Sequence, residues 1–438
     1  MYKFFPVLFL LSTAFSGCTP PPETLTPKTP LSNPKNIIIM IGDGMGPAFT
    51  TAYRYYQDDQ STGKIELTVF DRLLVGMAST YPARVSGYVT DSAAAATALA
   101  TGVKTYRGAI AVDVDKQPVE TLLERAKKRG KATGIVVTSH IYHATPAAFM
   151  VHNERRGNYS EIADDYFDDR VDGQFKADVM LGGGWKSFMR EDRNLVNEFI
   201  EAGYQYIDSM SQLPNVNYSN RKLLGLFADT GLKATLDDKN SDRLLKQTVA
   251  AVRILENNEN GFVLMIEGSQ IDWAGHGNDI ARAMGEMEDF ANTMEWVEQY
   301  VKQHPDTLMV ATADHKTGGL AIGYHWQPKW LKNLTMSPEY MTRDIIKGTL
   351  ALKDIHAKLG FELTEEELST LALAQPQGFE SLGIAILSLL DQRSNTKWAS
   401  TSHSAGDVQV FSAGLNKSRF SGHQDNTEIG IELLKMLN

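Results

Sequence analysis

Residues 89–102 read VTDSAAAATALATG, in which Ser92 follows Asp91 and opens an alanine run. A serine hydroxyl is barely ionised at neutral pH and needs a base or a metal ion to become a nucleophile. No histidine lies near Ser92 in the sequence. A second stretch, IEGSQIDWAGHGND, sets Glu267, Asp272 and His276 within ten residues. A carboxylate and an imidazole four positions apart share a helical face or a tight loop and make half of a divalent-metal site. TADHKTGG adds Asp314 and His315, and GDGMG adds Asp43. Taken singly, each has a plainer explanation: aspartates form turns, histidines sit satisfied in cores, and glycines suit tight bends. Three acids at the ends of apolar runs, together with a serine at a helix start, point instead to one shared centre.

The elements that must position these residues follow from the pattern. From Asn36 onward, short apolar runs alternate with longer helical periodicities, the signature of a mostly parallel sheet covered by helices. Four runs matter: NIIIMIGD ending at Asp43, ATGIVVTS ending at Ser139, GFVLMIEG around Glu267, and TLMVATADH ending at Asp314 and His315. In open α/β sheets, ligands gather at the carboxyl ends of such strands. Residues 280–301 place apolar side chains at i, i+3 and i+4, with Asn278 or Asp279 as the cap. The alanine run favours helix and puts Ser92 at or near an N-terminus, where anions bind well. Residues 326–398, with a Thr364/Glu367 capping box, read as a helical insertion on the same domain. The fold class expected is α/β, a three-layer sandwich with a large, mostly parallel central sheet flanked by helices. One domain spans 36–438.

Composition narrows the function. The chain has 438 residues, 42% of them hydrophobic, and a net charge of −10. That is ample for a large core and gives no basic footprint for nucleic acid. The N-terminus, MYKFFPVLFLLSTAFSGC, has a basic start at Lys3, an apolar stretch and small residues before Cys18, the only cysteine. This reads as an export signal, too short to span a bilayer comfortably, with a stable transmembrane helix as the weaker reading. Ser16-Gly17-Cys18 resembles a lipoprotein signal, with lipidation of Cys18 or plain secretion as the alternatives. A proline-rich tether fills 19–35. The expected location is the periplasm, or the outer membrane through a lipidated Cys18.

GDGMG, VTDSAAAATALATG, ATPAA, IEGSQIDWAGH, TADH and TSHSAGDV, in this order, resemble the alkaline phosphatases. The resemblance implies a first zinc held by Asp272, His276 and His403. It implies a second zinc held by Asp43, Asp314, His315 and the Ser92 oxygen. A third ion, magnesium, would use Asp43, Thr145 and Glu267 with His143 close by, although some bacterial members carry an aspartate in place of His143. Arg156, reached from ATPAA through FMVHNER, would grip phosphate and be oriented by Asp91; Arg155 is its rival. Trp273 occupies a position that varies in the family. The activity implied is hydrolysis of small phosphate monoesters through a phosphoserine, in a homodimer, outside the cytoplasm.

Other readings fit less well. There is no G-x-S-x-G elbow for a serine hydrolase. GGGWKS at 182–187 lacks the glycine that a P-loop needs before its lysine. A sulfatase would need Pro and Arg after the nucleophile, where this chain has alanines. A related diesterase and a non-catalytic zinc- or phosphate-binding lipoprotein remain as alternatives.

Overall fold

The computed structural model describes Met1, residues 33–238 and residues 241–438. The leader, Cys18 and the tether up to residue 32 lie outside the described residues. Asn33–Asn438 is one compact unit, built on a sheet of ten strands: β1 (Asn36–Gly42), β2 (Leu74–Ser79), β3 (Ala132–His140), β4 (Val179–Gly183), β5 (Gln205–Ile207), β6 (Leu223–Leu226), β7 (Phe262–Gly268), β8 (Thr307–Thr312), β9 (Val408–Gly414) and β10 (Gly422–Asp425). Their order is β10-β2-β9-β8-β1-β7-β3-β4-β6-β5. Every pairing is parallel except the two made by β9, with β8 and with β2.

The central strands explain their own composition. β1, β3, β7 and β8 are buried along their whole length. A strand covered on both faces reads as a continuous apolar run, without alternation. In-register pairing from Ile37↔Val263 to Gly42↔Gly268, and from Asn36↔Thr307 to Ile41↔Thr312, brings the carboxyl ends of β7, β1 and β8 level. That alignment turns three sequence-distant acid-bearing ends into neighbours.

Helices cover both faces. Those that matter for the site are α1 (Ser92–Thr101), α2 (Leu122–Lys128), α3 (Ala144–Met150), α4 (Gln270–His276) and α5 (Ile280–Gln303). α1 is buried throughout, which the alanine run permits because small side chains let the helix pack closely on both sides. Asp91 caps it, accepting from Ala94 N at 3.2 Å, and Gly102 ends it in the left-handed conformation. Asp279 caps α5 by accepting from Arg282 N at 2.9 Å.

Residues between β8 and β9 carry α6 (Pro338–Ile346), α7 (Glu365–Ala374) and α8 (Phe379–Ser394). Thr364 and Glu367 form the capping box of α7. Two short antiparallel ribbons close this excursion: Ala321–Ile322 against Thr396–Lys397, and Lys316–Thr317 against His403–Ser404. Among the described residues no helix is long and apolar enough to cross a membrane.

Candidate active site

Four adjacent strands, β8, β1, β7 and β3, end at one place. Asp43 follows β1; Glu267 lies near the end of β7; Asp314 and His315 follow β8; His143 and Thr145 stand at the turn from β3 into α3. Asp272 and His276 come from α4, directly after β7, and His403 arrives on the ribbon paired with Thr317. Three groups of potential ligand atoms result, each within 4.8 Å of one another: Asp272, His276 and His403; Asp43, Asp314 and His315; and Asp43, His143 and Glu267. Asp43 belongs to two of them.

In the first group, His276 Nδ1 lies 2.6 Å from Thr401 O and His403 Nδ1 lies 3.0 Å from Thr90 O. Backbone carbonyls accept only, so each Nδ1 carries the proton and each Nε2 keeps its lone pair. Those two Nε2 atoms face each other at 3.1 Å. Asp272 Oδ2 is 3.4 Å from His276 Nε2, and Asp272 Oδ1 is 3.7 Å from His403 Nε2. Thr317 donates to Asp272 Oδ1 at 2.5 Å and holds it in place. Such outer hydrogen bonds orient ligands toward a metal.

In the second group, His315 Nε2 is 3.1 Å from Asp314 Oδ2, 3.5 Å from Asp43 Oδ1 and 3.2 Å from Ser92 Oγ. Gly44 N and His315 N both donate to Asp314 Oδ1, at 3.0 and 2.8 Å. The serine therefore sits at the edge of an acid-imidazole cluster, on the first residue of α1, whose N-terminal amides and dipole favour an anion. Ser92 is buried.

The third group joins Asp43 and Glu267 to the turn before α3. Ser269 Oγ donates to Glu267 Oε2 at 2.7 Å. Thr145 is buried on the first turn of α3. Arg156 reaches in from the following loop, with Nη1 donating to Asp91 Oδ2 and Nη2 to His143 Nε2, both at 3.1 Å. Arg155 is exposed. Trp273 stands edge-on to His143, with ring centroids 6.2 Å apart, and also lines a cavity of about 700 Å³.

The electrostatics of this arrangement fit cations. Both oxygens of Asp43, Glu267 Oε1 and Thr145 Oγ1 are buried with no hydrogen-bond partner. Burial, reinforced by Asp314, Asp272 and Glu267, pushes the Asp43 carboxyl well above its usual value. Burial lifts Glu267 to about 8. Burial, with His315 alongside, lowers His403 to about 4, and burial with Arg156 nearby lowers His143. Asp314 and His315 compensate each other, the carboxyl held below and the imidazole above its usual value. The carboxyls of Asp43 and Glu267 that resist ionising, and the imidazoles of His143 and His403 kept neutral, are what a low-dielectric pocket produces when its charge is uncompensated. Divalent cations reverse that balance. Imidazole nitrogens with carboxylates suit zinc in the first two groups, and the oxygen-rich third group suits a harder ion.

Two contributors carry no motif of their own. Thr317 bridges Asp272 and His315 Nδ1, the latter at 3.2 Å, and Ser269 steadies Glu267. Both lie inside the quoted motifs, two residues after His315 and two after Glu267, which is the one signal available. Gly44 has a geometric role: its φ is +69°, and a Cβ there would fall 2.8 Å from Asp272 Cα, Asp272 Oδ1 and Thr317 Oγ1. Gly44→Ala is therefore expected to destabilise the protein by about 1–3 kcal/mol and to weaken metal retention by displacing Asp272. Urea unfolding and metal analysis after dialysis measure the two effects.

Comparison with known proteins gives a consistent set of relatives. The family model described as alkaline phosphatase matches residues 34–438. Alkaline phosphatase 3 of Bacillus subtilis (strain 168) is 43% identical over 449 aligned positions, covering 99% of this chain and 97% of the relative. The crystal structure of a cold-active alkaline phosphatase from the psychrophile Shewanella sp. is 50% identical, with a TM-score of 0.87 over 92% of this chain and 100% of that one. A histidine-to-aspartate variant of the TAB5 alkaline phosphatase, with magnesium bound in a site called M3, is 26% identical, with a TM-score of 0.69 over 93% of this chain and 99% of that one.

Proposed function

From the premise that the chain belongs to the alkaline phosphatase family and is a phosphatase, we propose that it hydrolyses small phosphate monoesters through a phosphoserine on Ser92. The observation that carries this reading is the Ser92 oxygen, 3.2 Å from His315 Nε2 at the rim of the Asp43/Asp314/His315 cluster. We assign Asp272, His276 and His403 to one zinc, and Asp43, Asp314, His315 and the Ser92 oxygen to a second. We assign Asp43, Thr145, Glu267 and the neighbouring His143 to magnesium. Bound there, divalent cations supply Lewis-acid charge that favours the ionised serine and the departing alcohol oxygen.

The chain's own residues do the rest. A phosphate monoester enters with its non-bridging oxygens toward the α1 N-terminus and the Arg156 guanidinium, a planar fork matched to two oxygens at once. Asp91 holds that fork through Nη1. Ser92 Oγ attacks phosphorus in line as the ester P–O bond breaks, and the alcohol leaves with the proton the serine gave up. Water then attacks phosphorus from the vacated side, the serine oxygen departs and takes up the proton that water gives up, and inorganic phosphate is released. Positioning and charge stabilisation account for most of the acceleration in such transfers.

The direct test is incubation with labelled inorganic phosphate at acidic pH, quenching and peptide mapping. Label on the peptide containing Ser92 is the expected result; label elsewhere, or none, removes the covalent route. His143 gives a second test. Replacing this neutral imidazole with a carboxylate adds a hard oxygen donor, so His143→Asp is expected to hold magnesium roughly tenfold more tightly. Magnesium content after dialysis measures it. We further propose export through residues 1–18, anchoring through a lipidated Cys18 and a homodimeric state. The support is the leader's composition and the family.

A further inference from the structure

Arg156 is held by more than Asp91. Residues 151–156, which carry it, lie along residues 108–112, the stretch that follows α1. Ile110 and Asn153 exchange both backbone hydrogen bonds, each 2.9 Å, and Arg156 N donates to Gly108 O at 2.7 Å. Gly108 N donates in turn to Asp91 Oδ1 at 3.1 Å. Thr97 on α1 donates to Ala109 O at 3.1 Å and accepts from Ala111 N at 3.0 Å. The serine's helix, its cap and the backbone of Arg156 thus share one frame.

His152 is a half-buried group in this frame that the proposed reaction does not use. Its Nδ1 lies 2.8 Å from Ala111 O and its Nε2 2.9 Å from Glu124 Oε1. Neither partner has a proton to give. Ala111 O is a carbonyl, and the Glu124 carboxylate already accepts from Lys176 Nζ at 2.7 Å and Thr121 N at 2.8 Å. Both imidazole nitrogens must therefore donate, which makes His152 an imidazolium fixed in direction at both ends. Burial opposes that charge, but the bond to Glu124 outweighs it and holds the His152 pKa above its usual value. The charged groups facing it are Glu124 from α2, Lys176 and Asp169. The Lys176 ammonium is bound by both acids, so this acid-histidine group is an ion-pair network with its cation already in place. The contact made by Nδ1 falls on an unusual residue: Ala111 has φ +44°, and its carbonyl receives both His152 and Val119 N, the latter at 2.9 Å.

We propose that His152 is a positioning residue for phosphate binding: pinned by Glu124, it sets residues 151–156 against 108–112 and so fixes the Arg156 guanidinium where it meets phosphate oxygens. The proposal rests on the reading above in which Arg156 binds phosphate. A guanidinium shifted by even a fraction of an ångström loses its two-point fit, so the effect is expected in phosphate affinity first.

The test uses the metal-loaded, full-length protein carrying His152→Ala, His152→Asn or His152→Gln, each with Arg156 intact and with Arg156→Ala. Inhibition by inorganic phosphate, KM and kcat for nitrophenyl phosphate, and thermal unfolding are measured. The asparagine amide nitrogen stands near Nδ1 and keeps the donor to Ala111; the glutamine amide stands near Nε2 and keeps the donor to Glu124. His152→Ala is expected to weaken phosphate inhibition and raise KM by about tenfold with a smaller change in kcat, and His152→Asn to recover most of that loss. With Arg156→Ala already present, the same change is expected to leave phosphate affinity where it is while still lowering the melting temperature. An equal affinity loss in both backgrounds, or none in a folded His152→Ala protein, overturns the proposal. If His152→Ala does not fold, His152→Gln, which lacks the donor to Ala111 O, decides by the same comparison. Wild-type turnover reports separately on the phosphatase reading, so missing coupling in an active enzyme sinks the positioning role alone. An Arg156→Ala protein that binds phosphate as well as wild type removes the Arg156 assignment and this proposal with it.

Discussion

Ser92→Ala is expected to cut hydrolysis of nitrophenyl phosphate by about three orders of magnitude or more while the protein stays folded and keeps its metals. The substitution deletes one oxygen at the first position of α1, in a run where alanine is already the rule, so helix formation does not suffer. Asp43, Asp314 and His315 remain in place to hold a cation, because their positions come from strand ends and backbone amides, not from the serine. What disappears is the atom that bonds to phosphorus. Steady-state turnover, metal analysis and a search for phosphorylated protein check the three parts together. Wild-type-like hydrolysis by this variant would mean that water attacks the ester directly.

Metal withdrawal should have a comparably large effect, and a structural one besides. Asp43, Glu267 and Asp314 are fully buried beside Asp272, with several oxygens unpartnered. Uncompensated buried charge typically costs several kcal/mol, so chelation is expected to reduce hydrolysis to background and to lower the melting temperature. Zinc returned first, then magnesium, should restore both; zinc that never revives turnover would discredit the ligand assignment. The metal-free protein also acquires a pH dependence. Burial raises Glu267 to about 8 in the folded chain, well above the ordinary glutamate value of about 4.3. Between those two values the folded state binds more protons than the unfolded one, so stability falls as pH rises across that window. The metal-loaded protein should lack this slope, since a bound cation keeps the carboxylates ionised throughout. Urea unfolding at a series of pH values, with and without chelator, shows the difference.

Much of this architecture can be read from the chain, for a physical reason. β1, β3, β7 and β8 are covered on both faces, so each appears as an unbroken apolar run ending in a polar residue, and their parallel arrangement follows from the helices between them. The reversed direction of β9 leaves no such mark: VQVFSAG would look the same pointing either way, and only its partners β8 and β2 decide. At the centre, the Asp272/His276 pair is visible because four residues make one helical turn. His403 is not visible by spacing, since it meets His276 from 127 positions away; the family resemblance brings it in. Thr317, Ser269 and His152 carry no local signature. A hydroxyl or a lone histidine acquires its task from a neighbour distant in sequence, as His152 does from Glu124 and Ala111.

The paired ribbons at Lys316–Thr317/His403–Ser404 and Ala321–Ile322/Thr396–Lys397 act as a clasp at the neck of the helical excursion. Beyond that clasp, chain length is decoupled from the chemistry: His403 is registered by its pairing with Thr317, whatever lies between them. A change in the length of this segment is therefore expected to leave the residues assigned to the metals in place. The excursion is in that sense a cassette, joined to the reaction centre through its neck.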